Sequence, residues 1–116
     1  MEINDLVKQA HENAVKHGFW ENICKKPIED AIKGNSYLSS SENNLIGNLL
    51  MLIVSELAEA QEGLRHDDIN NFREELADVA IRLGDLCGGL KIDLEAEIIK
   101  KMAVNAARPY KHGKAF

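Results

Sequence analysis

The sequence predicts an all-α protein, and three observations support this fold class. Pro occurs only twice among 116 residues and aromatic residues make up only 5% of the chain, while Ala, Leu, Glu and Lys are abundant. Apolar residues recur at helical spacing along most of the chain. Turn and capping residues separate these segments. We therefore expect one domain, residues 1–116, that folds as an antiparallel four-helix-type bundle with four long helices plus a possible short one.

The first third of the chain predicts one long helix and one short helix. Apolar side chains in residues 3–17 recur at intervals of three and four, and Gly18 follows as a C-terminal cap. Pro27 favours the first turn of a short helix over residues 27–32, because its fixed φ suits that position. Residues 21–40 are otherwise polar and irregular, so the sequence indicates loops on both sides of the short helix.

The second long helix has the clearest periodicity in the chain. It is predicted to begin at a serine cap, Ser40 or Ser41, and to continue to about residue 65. A short polar connection follows, in which Asp67 or Asp68 is expected to cap the third helix. Because the connection is short, the second and third helices should be antiparallel neighbours.

Glycines and a proline set the expected ends of the last two helices. The third helix is predicted over residues 70–87, ending at Gly88 and Gly89. Asp93 is expected to cap the fourth helix, which should stop before Pro109 because the residue before proline disfavours the α region.

Charge is distributed unevenly along the chain. The net charge is −5, yet residues 1–99 hold all nineteen acidic residues and only nine of the fourteen Lys and Arg residues. An acidic body argues against nucleic-acid binding, which requires a basic surface. The other five basic residues lie in residues 100–116, and we call these residues the basic segment. This segment either neutralises the acidic body, which is the more common case, or holds an anion beside it. Its residues are Lys100, Lys101, Arg108, Lys111 and Lys114.

No segment resembles a membrane span or a secretion signal. The longest apolar run, residues 49–54, is far shorter than a bilayer crossing needs, and the amino terminus is polar. We therefore expect a cytoplasmic protein without membrane partners, in which Cys24 and Cys87 stay free thiols and Cys87 packs as a small core residue.

The acidic residues that carry chemistry lie beside the predicted core stripes of the second and third helices. Glu56 and Glu59 are one turn apart on the second helix, and Glu75 and Asp78 are one turn apart on the third. In antiparallel neighbours these two pairs would face each other. The expected inward stripes are Leu45, Leu49 and Leu52 on the second helix and Phe72, Leu76, Val79 and Leu83 on the third.

Four converging carboxylates are costly without a cation, because like charges repel and burial removes their water. Oxygen ligands on rigid helices suit Mg²⁺, with Mn²⁺ as a substitute, and both ions accept substrate phosphates as further ligands. A solvated acidic face is the simpler alternative, in which Arg82 would pair with Asp78 four residues earlier. The spacing alone favours neither interpretation.

The same residues carry a family resemblance. The string SELAE ends at Glu59, fifteen residues follow, and ELAD begins at Glu75. This pattern resembles the MazG-like nucleoside triphosphate pyrophosphohydrolases, whose signature is EExxE, a spacer and ExxD. The strings HGFW and KMAVNAARPYKHGKAF are also similar to small members of that family. One position departs from the signature, since Ser55 stands at its first glutamate and cannot accept a proton near neutral pH.

The resemblance implies cleavage of a nucleoside triphosphate between its α- and β-phosphates to give monophosphate and pyrophosphate. It implies Mg²⁺ held by Glu56, Glu59, Glu75 and Asp78, with Glu59 and Glu56 as the catalytic carboxylates. We expect Glu59 to accept the proton of the attacking water. The preferred base and sugar are not evident from the sequence.

Residues at both ends of the chain are candidates for substrate binding. Lys101, Asn105 and Arg108 share one face of the fourth helix, and the resemblance supports a phosphate-binding role for all three. Trp20 could stack on a base with Asn13 beside it, although a core anchor is the more common role for a lone tryptophan next to a helix end.

The second helix is apolar all round at residues 49–54, which predicts that another subunit covers part of it. We expect a homodimer or a homotetramer that completes the bundle. The alternative to an enzyme is a non-enzymatic helical interaction module, in which the acidic residues form only a solvated surface.

Overall fold

The computed structural model describes residues 1–110, which form five α-helices and no strand. The helices are α1 Ile3–Lys16, α2 Lys26–Ile32, α3 Ser40–Arg65, α4 Ile69–Leu90 and α5 Leu94–Ala106. The all-α prediction is confirmed, including the short helix at Pro27. Two residues of the basic segment, Lys111 and Lys114, lie outside the described residues.

Side-chain caps explain where the three later helices begin. Ser39 caps α3 rather than Ser40 or Ser41: its hydroxyl accepts the Glu42 amide hydrogen, and the Glu42 carboxylate accepts the Ser39 amide hydrogen. Asp68 caps α4 by accepting the hydrogen of the Asn71 amide. Asp93 caps α5 as predicted. The prediction for α3 was wrong by one residue because the capping box depends on Glu42.

The predicted end of the third long helix was wrong. α4 continues through Gly88 and Gly89 to Leu90, and Lys91 ends it in the left-handed conformation with φ 59°. The two glycines lie where other side chains press against the helix. A Cβ at Gly88 would collide with His11, and one at Gly89 would overlap the ring of Trp20. Glycine here permits close approach rather than chain reversal.

The core is built around α4, whose Leu86 and Leu90 cluster with the buried Ile28 of α2. α4 packs against both α1 and α3, while α2 contacts α4 and α5 contacts α1. Cys87 is buried in this core as predicted, and both cysteines are free. The buried apolar side chains are Val7, Ala10, Ala14, Trp20, Ile28, Ala60, Leu86, Cys87 and Leu90.

The predicted inward stripes are only partly buried. Leu52 and Leu76 are each 44% exposed, and Leu83 is also exposed, so these three assignments were wrong for the single chain. We name the exposed apolar surface of α3 and α4 by its residues: Leu50, Met51, Leu52, Val54, Leu57, Leu64, Ile69, Leu76, Ile81 and Leu83. Among the helices of residues 1–110, none combines the length and the apolar character that a membrane crossing requires.

Candidate metal centre and adjoining cleft

Three of the four predicted carboxylates converge between α3 and α4. Glu56, Glu75 and Asp78 each offer one oxygen, and these oxygens lie within 4.8 Å of one another. Glu56 is buried, Glu75 is partly buried and Asp78 is exposed. Glu59 is exposed and lies outside this triad, although its carboxylate is close enough to Glu75 to affect the pKa of Glu75. The triad forms because the helices are antiparallel neighbours joined by a short turn.

Arg82 anchors the buried member of the triad. Its Nε donates to Oε1 of Glu56 over 2.8 Å, so its ion pair is with α3 and not with Asp78, as the simpler alternative required. Hydrogen bonds with Glu75 and with Arg82 lower the pKa of Glu56. Glu56 therefore holds its negative charge more firmly than a free glutamate does.

The neighbouring carboxylates destabilise the ionised form of Glu75. Its hydrogen bond with Glu56, loss of water around it and the nearby Glu59 raise the pKa of Glu75 to about 7. Its Oε2 is buried, and no hydrogen-bond donor within residues 1–110 reaches it. A buried oxygen without a donor is destabilising unless something positive occupies the space beside it. The donor set, all carboxylate oxygens, fits a hard divalent cation such as Mg²⁺.

Ser55 does not take part in this cluster. Its hydroxyl donates to the Leu52 carbonyl oxygen over 2.6 Å, one turn earlier on α3, and the residue is exposed. The serine at the first position of the signature therefore satisfies its own helix and leaves the triad to the other carboxylates.

A cleft of about 360 Å³ opens beside the triad. Glu56, Asp78 and Arg82 line it, so it reaches the carboxylates directly. The opposite wall comes from α1 and the residues after it, which include both predicted base-binding residues. These wall residues are Ala10, Asn13, Ala14, Phe19 and Trp20.

Trp20 is a core anchor that also borders the cleft. It is only 5% exposed, and its Nε1 donates to Oδ1 of Asp85 over 2.8 Å, so the indole N–H has no free capacity for a base. The neighbouring Phe19 lines the same cleft and is 71% exposed. Sequence reasoning singled out neither Phe19 nor Asp85. The available signal was the Gly88–Gly89 pair, which marks the contact between α4 and the segment that carries Trp20.

The predicted phosphate-binding residues lie elsewhere in the single chain. Lys101 and Asn105 are exposed on α5, a helix that packs against α1. Arg108 is exposed two residues beyond the end of α5 at Ala106, so the prediction that all three share one helix face was wrong for Arg108, because the helix stops further ahead of Pro109 than expected. None of the three lines the cleft beside the triad. The structure of one chain therefore does not bring this trio together with the carboxylates.

Comparison of the chain with protein-family models, with curated proteins and with solved structures gave no match.

Proposed function

We propose that this protein is a Mg²⁺-dependent nucleoside triphosphate pyrophosphohydrolase, acting on a canonical, deoxy- or modified nucleotide. The observation that carries the proposal is the triad of Glu56, Glu75 and Asp78, whose oxygens converge within 4.8 Å beside an open cleft. The buried, donor-free Oε2 of Glu75 supports a cation at this point. The spacing of the same residues resembles the MazG-like signature.

In this proposal Glu56, Glu75 and Asp78 hold the ion, while Glu59 lies outside the triad but near Glu75 and is left for proton transfer. When bound, Mg²⁺ would neutralise charge on phosphate oxygens and acidify water at the site; Mn²⁺ would serve as a substitute. Arg82 keeps Glu56 charged and fixed in orientation. The triad residues thereby supply a preformed negative site that needs little rearrangement.

Glu59 is the carboxylate that we assign to proton transfer. Glu56 has a lowered pKa and is paired with Arg82, which makes it a poor proton acceptor despite its position in the catalytic pair. Glu59 lies one turn further along α3, is exposed to solvent and has no fixed cationic partner within residues 1–110. It can accept the proton of a water that attacks the α-phosphorus.

The phosphate-binding role of Lys101, Asn105 and Arg108 stays a prediction from the resemblance. Their exposure leaves all three free to meet a triphosphate. Alanine at Lys101 or Arg108 should raise KM for the triphosphate more than it lowers kcat, because these residues contact parts of the substrate distant from the reacting bond.

We also propose a homodimer or homotetramer that completes a four-helix-type bundle. The exposed apolar surface of α3 and α4, apart from Leu52 and Ile81, which line the cleft, supports this, since a folded chain seldom leaves so many large aliphatic side chains in water. The same surface favours the second candidate function, a non-enzymatic interaction module that binds a different protein.

A panel of nucleoside triphosphates with Mg²⁺ tests the activity. We expect pyrophosphate and monophosphate as products, and loss of at least about a hundredfold in kcat/KM for Glu75→Gln. The matched control is Glu74→Gln, an exposed neighbour outside the triad that should retain activity. Orthophosphate as the sole product would exclude α–β cleavage. No turnover, with no Mg²⁺-dependent shift in melting temperature, would favour the interaction module.

A further inference from the structure

A second polar group lies in the cleft, away from the triad. Oδ1 of Asp85 accepts from Nε1 of Trp20 over 2.8 Å and lies 3.0 Å from Nδ1 of His11. Nε2 of His11 is 2.9 Å from the Lys25 ammonium. An ammonium only donates, so Nε2 is the acceptor and Nδ1 carries the proton that His11 donates to Asp85. Two donors on one oxygen therefore fix the orientation of the carboxylate.

The second oxygen of this carboxylate is uncommitted. Asp85 lines the cleft, and within residues 1–110 its Oδ2 has no hydrogen-bond partner. A carboxylate offers only acceptors when ionised. Whatever occupies this part of the cleft is therefore met by a fixed acceptor that requires a donor.

The position of Asp85 relative to the triad suits one molecule that reaches both. Asp85 follows Asp78 by seven residues on α4, about 10 Å along the helix axis. The lining between them is mostly apolar, from Ala10 and Ala14 on α1, Leu49 and Leu52 on α3, and Ile81 on α4. Phe19 adds an exposed aromatic ring to the same cleft. Apolar walls with one fixed acceptor suit a flat heterocycle.

We propose that Asp85 selects the base of the substrate, and that the cleft takes a nucleobase with an exocyclic amino group at the Watson–Crick edge of its six-membered ring, namely cytosine or adenine. This inference rests on the proposed function, because it assumes that the triphosphate lies at the triad. The amino group donates to Oδ2 of Asp85. Uracil and thymine present a carbonyl oxygen where cytosine carries its amino group, and hypoxanthine presents one where adenine carries its amino group. The Asp85 carboxylate repels that oxygen.

Two pairs of nucleotides test the selection, because each pair replaces the amino group by a carbonyl. They are dCTP against dUTP and dATP against deoxyinosine triphosphate. The wild type should prefer the amino member of its better pair by at least about tenfold in kcat/KM. In Asp85→Asn the carboxamide oxygen can still accept from Trp20 and His11, while its NH₂ group donates into the cleft. The preference should then fall to about unity or reverse.

Two further variants keep this test decisive. Asp30→Asn makes the same chemical change at an exposed ion pair on α2, outside the cleft, and should leave the preference unchanged. Trp20→Phe removes one of the two donors that hold Asp85 while it keeps an aromatic ring. Trp20→Phe should weaken the preference for the amino-bearing base less than Asp85→Asn does. If circular dichroism shows that Asp85→Asn is unfolded, Trp20→Phe is used in its place, and the preference should still fall below that of the wild type.

Binding measured without turnover separates this inference from the proposed function. Titration calorimetry with dCMP and dUMP, and with AMP and IMP, reports base preference alone. Amino selectivity that depends on Asp85, with no hydrolysis of any triphosphate, would support the selection and overturn the activity. Hydrolysis whose base preference is unchanged by Asp85→Asn would overturn the selection and leave the activity standing. No binding of any nucleotide would overturn both.

Discussion

The two halves of α4 contrast in how completely the chain covers them. From residue 84 to residue 90 each side chain or glycine is buried or partly buried, whereas no residue from 69 to 83 is buried. The covered half packs closely against α1 and Trp20. The open half carries Glu75, Asp78 and part of the exposed apolar surface. The chain therefore builds its rigid core at one end of α4 and leaves its most chemically distinctive end for other molecules.

The largest expected effect comes from filling the covered half. Gly89→Ala would place a methyl group in the ring of Trp20, so the ring or the helix must move. We expect a loss of about 3 kcal/mol in the free energy of unfolding, measured by urea denaturation. The control is Gly47→Ala in α3, where an added Cβ has no neighbouring atom within 4 Å. This substitution should stabilise the helix by about 0.5–1 kcal/mol. Equal effects of the two changes would contradict the close packing.

The second prediction concerns the open half of α4, residues 69–83, where bound metal rather than close packing should raise the stability of the protein. Saturating Mg²⁺ should raise the melting temperature of the wild type by roughly 5–10 °C, because only the folded chain assembles the triad. Glu75→Gln should lose this rise, yet melt no lower than the wild type when metal is absent, since one repelling charge is gone. Differential scanning fluorimetry with Mg²⁺ or with a chelator measures both, and Glu74→Gln is the control. A Mg²⁺ shift that survives in Glu75→Gln would place the ion elsewhere.

A charge on the exposed apolar surface tests whether a second subunit covers it. Met51 is 60% exposed in α3, so Met51→Glu should hardly affect the fold of one chain. It should raise the dissociation constant of the oligomer at least about tenfold, because a buried unpaired charge is costly. Sedimentation equilibrium reports this change. Val15→Glu, at an exposed position of α1, should leave the mass of the assembly as it is; a monomeric wild type would remove the oligomer from the proposal.

The smallest expected effect is a pH dependence confined to the metal-free protein. The pKa of Glu75 is raised from 4.5 to about 7 on folding, so the folded chain binds a proton that the unfolded chain has released. Its contribution to stability is fully present below pH 4.5 and is lost as pH rises to about 7. The wild type should therefore lose stability relative to Glu75→Gln between pH 5 and pH 8 in chelator. Parallel melting curves for the two proteins across this range would contradict the crowding of Glu75.

The residues of the triad could be predicted from the sequence because the features that bring them together act over short stretches of chain. Glu56 on one helix, and Glu75 and Asp78 on the next, are held in register by helical periodicity and by a short turn capped at Asp68. Glu59 was placed with them because it shares the face of Glu56, but a shared helix face does not set how far a side chain reaches. The partner of Arg82 was missed for the same reason, since Glu56 lies 26 residues away and across an interface.

The contacts of Asp85 with Trp20 and His11 could not be predicted in this way. Asp85 meets Trp20 across 65 residues of sequence and His11 across 74. No periodic pattern connects positions so far apart. The glycine pair that permits this contact predicts a helix end from the sequence alone, because glycine is common at helix termini as well as at close contacts.

By itself the sequence determined the helices, most of their caps and the pairing of acidic residues on neighbouring helices, because hydrogen bonding and side-chain periodicity within a helix act over a few residues. Only the tertiary structure decided which carboxylate lost its water, which oxygen of Asp85 stayed uncommitted and which apolar side chains stayed exposed. Those outcomes depend on how closely α1 and α3 approach α4, and that distance results from packing among residues far apart in the chain.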